Sequence, residues 1–533
     1  MRKARERFDV LVIGAGCAGS ALAKRLSDHA LDILVLEQGD WVTPEMRPKS
    51  HLDWEARARH DFNPRPSVRG WDGDYPVTNR GGNPIDAYLY AAVGGSAVGY
   101  GGHFWRFAPS DFRAHTLDGF GADWPISYED LAPYYDLNEA EMGTAGLRGD
   151  PTGPPRDVDS PTRPVPIGRL GRKWVDGFEK LGWYWWPQEQ AIISEDYRGR
   201  KACTNRGFCT AGCPHSALAY AEEIYLAPAL RRGVELRTRA HVREITVDPR
   251  GRARGAIYYD GEGRLHEVEA KVVVLCGNGL GSPRLLLMSR SARFPDGLAN
   301  SSGMVGKNFM THVQTMVIGR FEDRIDAHQG AWGGAVASRE FYDGDPEGDF
   351  KRGFMLAAMR GYPPLTTALQ VAPWGPDHHE VLERHLNHEG VIWVCGDDEP
   401  EETNYVGLDW DNLDAYGLPG VTTNYTLSAN SLEMSKHMVR RATQLCEAAG
   451  ADSVRDLGFD TLLGWHLLGT VRMGDDPETS VVDAGNRAHD VPNLYVVDGS
   501  SFPTGAAVNP TNTVQALALR TADQIVEQRS AWN

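Results

Sequence analysis

Two segments near the carboxyl end hold side chains suited to moving a proton and steadying an oxygen: His466-Leu-Leu-Gly469-Thr470-Val-Arg472-Met473-Gly474 and Asn509-Pro510-Thr511-Asn512-Thr513. Histidine changes charge near neutral pH, and an amide can hold an oxygen without taking its proton. At the opposite end stands Gly14-Ala15-Gly16-Cys17-Ala18-Gly19. Gly14 suits a tight turn, Gly16 lets a pyrophosphate approach the backbone, and Gly19 lets a helix pack closely on its strand. Glu37 follows where an acid would meet a ribose hydroxyl. These residues point to dinucleotide chemistry and do not separate FAD from NAD. A third group, Cys203, Cys209 and Cys213, has C-x5-C-x3-C spacing. Thiolates from one short loop could ligate an iron-sulfur cluster, whereas zinc would need a fourth ligand such as His215.

The elements that must position these residues are legible from hydrophobic pattern. Phe8 to Ile13 reads as a strand, Cys17 to Leu26 as a helix and Asp32 to Leu36 as a second strand, which places the glycine turn at the carboxyl end of the first. Further strands are expected at Val242–Val247, Gly255–Tyr259 and His266–Leu275, the last ending in an apolar run covered on both faces. Residues 140–165 are Pro- and Gly-rich and read as a surface connection. Residues 316–460 change texture toward Trp, Tyr and strand-like pieces such as Gly390–Val394, and end in an amphipathic helix at Ser431–Ala449. With 533 residues, 41% of them hydrophobic, the chain can bury a large two-lobed core. A net charge of −17 argues against nucleic acid or an anionic membrane as partner. No run of eighteen apolar residues occurs, and Met1 to Arg7 leads into the first strand without a signal segment, so a cytoplasmic location without membrane insertion is expected.

Taken together, these motifs resemble the glucose-methanol-choline (GMC) family of flavin-dependent alcohol oxidoreductases, from residue 8 to about residue 528. Ala92-Val-Gly94-Gly95-Ser96-Ala-Val-Gly99-Tyr100-Gly101-Gly102-His103 is similar to its first glycine signature, and Gly277-Asn-Gly-Leu-Gly281-Ser282-Pro283 to its second. Val242 matches the position whose backbone meets the adenine, and Asp498-Gly499 the pair beside the flavin. The resemblance therefore implies FAD. Some members attach flavin through a histidine at the position of Gly99, so noncovalent FAD is expected here, with His103 the other candidate for attachment. It further implies that His466 is the base, that Asn509 positions the substrate oxygen, with Asn512 a competitor, and that Pro510 and Thr511 lie beside the cofactor.

The implied architecture is α/β, with a Rossmann-like FAD-binding lobe and a second α+β substrate-binding lobe on a mostly antiparallel sheet. Its division places 1–135, 215–315 and 461–533 in the FAD lobe, 136–214 in a connecting segment with the cysteine loop, and 316–460 in the substrate lobe. The cysteine loop resembles that of bacterial FAD glucose and gluconate dehydrogenases, which carry a cluster, but lacks their adjacent cysteine pair. Trp105-Arg106-Phe107 and Asn509-Pro510-Thr511 lean toward a pyranose, glycoside or amino sugar as substrate, with oxygen or an external acceptor taking the electrons. Gly182-Trp183-Tyr-Trp-Trp186-Pro187 could stack on a sugar ring, although such segments are more often core. Val305-Gly306-Lys307-Asn308-Phe-Met-Thr311-His312 matches a further family pattern except that Thr311 replaces its acid. The alternatives are a lyase or non-redox flavoprotein of the same fold, and an NAD-dependent dehydrogenase.

Overall fold

Val10, Leu11 and Val12 are fully buried on both faces of a strand, β1 (Arg7–Ile13), as an apolar run before a glycine turn requires. The computed structural model describes residues 6–532 apart from 44, 49–53, 72, 208 and 459–461; the reading of Met1–Arg5 as a lead into β1 lies outside the described residues. Helix α1 (Cys17–Leu26) returns the chain to β2 (Ile33–Leu36), which pairs in parallel with β1 from Val10↔Ile33 to Ile13↔Leu36. A parallel pair needs such a crossover. Gly19 lets α1 sit close, because a Cβ there would fall 1.9 Å from the Gly14 carbonyl oxygen.

The sheet is completed by β3 (Glu235–Arg237), β4 (His241–Val247), β5 (Ala253–Tyr259) and β6 (Leu265–Leu275). The carboxyl half of β6 pairs in parallel with β1, while its amino half turns antiparallel with β5, and β4 closes that side. Helix α2 (Asn278–Met288) follows directly.

The second lobe is a six-stranded, wholly antiparallel sheet. It holds β7 (Val313–Arg320), β8 (Val336–Ser338), β9 (Phe354–Met359) and β10 (Glu389–Gly396), with Trp186–Pro187 at one edge. Alternation divides its faces. Phe354, Leu356, Ala358, Ile392 and Val394 share a core with the Met434, Met438 and Leu445 stripe of α3 (Ala429–Ala448), whereas Met355, Ala357, Met359, Val391 and Trp393 belong to the core of the first lobe. After β11 (Ser453–Asp456) on the other edge, the chain returns to the first sheet. There β12 (Leu494–Val496) pairs in parallel with the end of β6, and α4 (Thr511–Glu527) packs on α1. Among the described residues no helix is long and apolar enough to cross a membrane.

Candidate active site

A cavity of about 540 Å³ runs from the carboxyl ends of β1 and β2 to the inner face of β9 and β10. Its wall includes Gly14, Gly16, Cys17, Ala18, Glu37, Gly95, Ser96, Tyr100, Gly101, Gly102, His103, Val242, Gly277, Asp498, Gly499, Asn509, Pro510 and Thr511, together with His466. Gly19, Gly94 and Ser282 are not on the wall and act one layer behind it. A Cβ on Gly94 would meet Glu222 at 2.3 Å, and Ser282 donates to Asp498 at 2.6 Å.

The dinucleotide half is built by close backbone approach. Gly14 has φ +105, and a Cβ there would lie 2.3 Å from the Cys276 carbonyl oxygen; a Cβ on Gly95 would lie 2.9 Å from Gly16 Cα. These cradles fit a pyrophosphate, and the helices α1, α2 and α4 begin beside them at Cys17, Asn278 and Thr511, where helix dipoles favour an anion. Glu37 accepts from the Ala15 and Gly39 N–H groups, each at 2.8 Å, while burial pushes its carboxyl up to about 7. Asp498 accepts from the Asn278 and Ser500 N–H groups at 3.0 and 2.8 Å, tying the start of α2 to the Gly499 stretch.

At the other end the hydrogen bonds define a proton arrangement. His312 Nε2 lies 3.1 Å from the Gly505 carbonyl oxygen, which can only accept, so this nitrogen carries hydrogen. His312 Nδ1 is then a bare acceptor, and its 2.7 Å partner, His466 Nδ1, must donate. His466 Nε2 is left as an acceptor and takes a hydrogen bond from the Asn509 amide, 3.2 Å from Nδ2. Burial, reinforced by repulsion from His312 and His103, holds His466 well below the ordinary histidine range, and burial lowers His312 to about 4. His466 is thus a neutral imidazole with its basic nitrogen beside an amide, as proton abstraction needs. Asn509 Oδ1 has no partner among the described residues. Asn512 does not compete for this place: it is fully buried between Asn138 and Glu139, at 2.8 and 3.1 Å.

Pattern reading undervalues His312, because the motif that contains it is judged by the acid that Thr311 replaces. It also passes over Trp393, whose ring lies 6.5 Å from His466 and 5.4 Å from His103, because nothing in an apolar strand marks the residue that faces a site. The three cysteines of the loop share one apolar cluster. Cys203, Cys209 and Cys213 are unbridged, pack among Ile192, Leu218 and Tyr220, and lie off the cavity wall. Burial pushes Cys209 up to about 12. Among the described residues no group of three His, Cys, Asp or Glu side chains is placed to hold a metal ion. Trp183 and Trp186 are likewise off the wall.

Comparison with known proteins places the chain in a family. Residues 8–314 and 400–518 match the amino- and carboxyl-terminal models of the GMC oxidoreductases. The chain is 40% identical to 2-methyl-1,2-propanediol dehydrogenase of Mycolicibacterium austroafricanum, over 98% of this chain and 96% of that protein. It is 30% identical to the fructose dehydrogenase large subunit of Gluconobacter japonicus, over 97% of each. Among solved structures, pyridoxine 4-oxidase from Mesorbium loti superposes with a TM-score of 0.67 at 18% identity, covering 97% of this chain and 99% of that one, a likeness of fold.

Proposed function

The chain belongs to the GMC oxidoreductase family, whose members bind FAD and act on alcohol groups, and from that premise we propose that it oxidises a CH–OH group of a sugar or diol with His466 as base and Asn509 holding the substrate oxygen. The observation that carries this reading is the hydrogen-bond chain Gly505–His312–His466, which leaves His466 Nε2 an unprotonated acceptor, met by the Asn509 amide where a substrate hydroxyl would enter between them. The substrate hydroxyl gives its proton to Nε2 as its C–H bond breaks, so that O–H and C–H are replaced by a C=O bond. Losing the proton makes the oxygen a far stronger hydride-releasing group, and the Asn509 amide stabilises the charge that develops on it.

Gly14, Gly16, Gly95, Glu37, Asp498 and Thr511 would hold FAD, which when bound would supply the two-electron acceptor for the hydride. Noncovalent attachment is supported by Gly99, which offers no side chain for a covalent bond at the position where the family resemblance would put an attachment histidine. The sugar and diol classes both draw on relatives: one is named for a diol, another for fructose.

The test is the visible spectrum of the purified protein, followed by anaerobic addition of alcohols. A flavin band near ~450 nm that bleaches with substrate is expected, and His466→Ala should retain the band while slowing bleaching by ~10²–10⁴-fold. Bleaching in His466→Ala at the parent rate would remove His466 from the reaction.

A further inference from the structure

The two halves of the cavity differ in charge. Among the described wall residues only Glu37 and Asp498 are acidic, and both stand in the dinucleotide half. The end holding His466 and Asn509 is walled by Trp332, Met359, Trp393 and Trp465. Trp393 donates its indole N–H to Gln314 Oε1 at 3.0 Å, so it presents a substrate with a flat apolar face. Trp465 stands edge-on to Tyr88, ring centroids 5.6 Å apart.

One more polar side chain reaches this end. His103 is 7% exposed and stacks toward Trp393, and its place depends on Gly333, where a Cβ would lie 2.9 Å from the ring. Gln188 acts on the imidazole as a hydrogen-bond partner, yet neither His103 Nδ1 nor Gln188 Oε1 completes a bond of normal geometry among the described residues. His103 therefore retains hydrogen-bonding capacity beside the catalytic pair, and burial keeps it neutral.

Behind the wall stands a cation. The Arg360 guanidinium is 4.1 Å from the Trp332 ring centroid and 5.0 Å from that of Trp54. It is 3% exposed, donates to the His328 carbonyl at 3.3 Å, and leaves Nε and Nη2 without partners; it makes no salt bridge among the described residues. Burial lowers it only to about 10, so it stays charged at neutral pH. The carboxylate that acts on it is Glu55, which is not on the cavity wall, so from the cavity side Arg360 opposes a second cation.

We infer that the substrate is a compact, uncharged vicinal diol, with one hydroxyl between His466 and Asn509, the neighbouring hydroxyl on His103, and its hydrocarbon remainder against Trp393 and Met359. This inference rests on the oxidation reading and narrows it. An amino sugar would bring its ammonium toward Arg360, while the acidic wall residues, Glu37 and Asp498, stand in the other half of the cavity. A pyranose would bury more hydroxyls than His466, Asn509 and His103 can satisfy, and each unsatisfied one costs binding energy.

The experiment records anaerobic flavin bleaching of the holoenzyme with 1,2-propanediol, 1-propanol, glucose and glucosamine. 1,2-Propanediol should bleach at least ~10-fold faster than either sugar, and His103→Phe should lower the diol-to-propanol ratio of kcat/KM by ~10-fold, with His103→Gln restoring part of it. His103→Leu serves as the apolar variant if Phe costs the protein its flavin. Glucose or glucosamine outpacing the diol, or an unchanged ratio in a flavin-loaded apolar variant, overturns the diol assignment and leaves alcohol oxidation standing. A flavin that no alcohol bleaches overturns the oxidation reading and this one with it.

Discussion

His466 owes its proton arrangement to a residue that never meets the substrate. His312 accepts from His466 Nδ1 only because its own Nε2–H is held by the Gly505 carbonyl, so one backbone oxygen determines which nitrogen of the His466 ring carries no hydrogen. In His312→Phe both the carbonyl and His466 Nδ1 lose their partners and the ring can take the other tautomer. Flavin reduction should slow by ~10–100-fold, more in kcat than in KM, as for other residues that orient a functional imidazole. Repulsion from His312 helps to depress His466, so its removal raises the His466 pKa and moves the acid limb of the rate profile to higher pH. His312→Gln, which can still accept and donate, should recover part of the rate. Stopped-flow reduction between pH 5 and 8 measures all three, and a His312→Phe profile superposing on the parent would remove this role. What can be read from the chain alone follows from this chemistry: His466 and Asn509 are singled out only by the family motifs around them, whereas the contact between His312 and His466 passes through space and leaves no mark in spacing. Trp393 is illegible for a plainer reason. Ile392, Trp393 and Val394 are equally buried, and only pairing with β9 decides which of them faces the cavity.

At the scale of elements, the cavity depends on turns that admit no side chain. Gly95 has φ +62, and its missing Cβ would press on Gly16 Cα, backbone against backbone, where neither glycine turn can yield without opening the cradle. Gly233 has an equally unusual φ of +98, but nothing lies within 4 Å of where its Cβ would stand. Alanine at Gly233 should cost about 1 kcal/mol and leave the flavin in place, while Gly95→Ala should purify with little or no yellow colour. The ratio of absorbance near ~450 nm to protein absorbance compares them, since the flavin chromophore belongs to the cofactor; a fully loaded Gly95→Ala would show that the two turns have room to separate. The same scale explains how the strands can be read. Apolar runs such as Val272–Leu275 declare a strand buried on both faces, but β6 turns from parallel to antiparallel pairing along its length, and no residue type records that switch.

For the whole molecule, burying a polar site inside an apolar frame makes stability depend on pH, and the sign can be worked out. His103, His241 and His312 all have folded-state values lowered by burial to about 4, against 6.5 in the unfolded chain. Between those values the unfolded chain binds protons that the folded one refuses, so stability is lost as pH falls from about 6.5 to about 4 and is untouched above that window. Glu37 and Glu222, raised by burial to about 7, act in the opposite direction, because the folded chain keeps their protons while the unfolded chain releases them. The parent's overall profile mixes both signs, but a single substitution isolates one contribution. His241 lies outside the catalytic pair and stacks on Tyr416, ring centroids 4.3 Å apart, an arrangement phenylalanine can keep. His241→Phe should therefore be less acid-sensitive than the parent. At pH 5 the buried histidine costs roughly 2 kcal/mol that is absent at pH 8, a difference of about 2 °C in Tm for a chain of this size. Calorimetry of both flavin-loaded proteins at the two pH values gives the comparison, with His241→Gln as a second non-titrating variant. Parallel Tm profiles for parent and variants would mean that His241 takes up its proton in the folded state as readily as in the unfolded one, and that its burial is relieved by an opening of the strand end at β4.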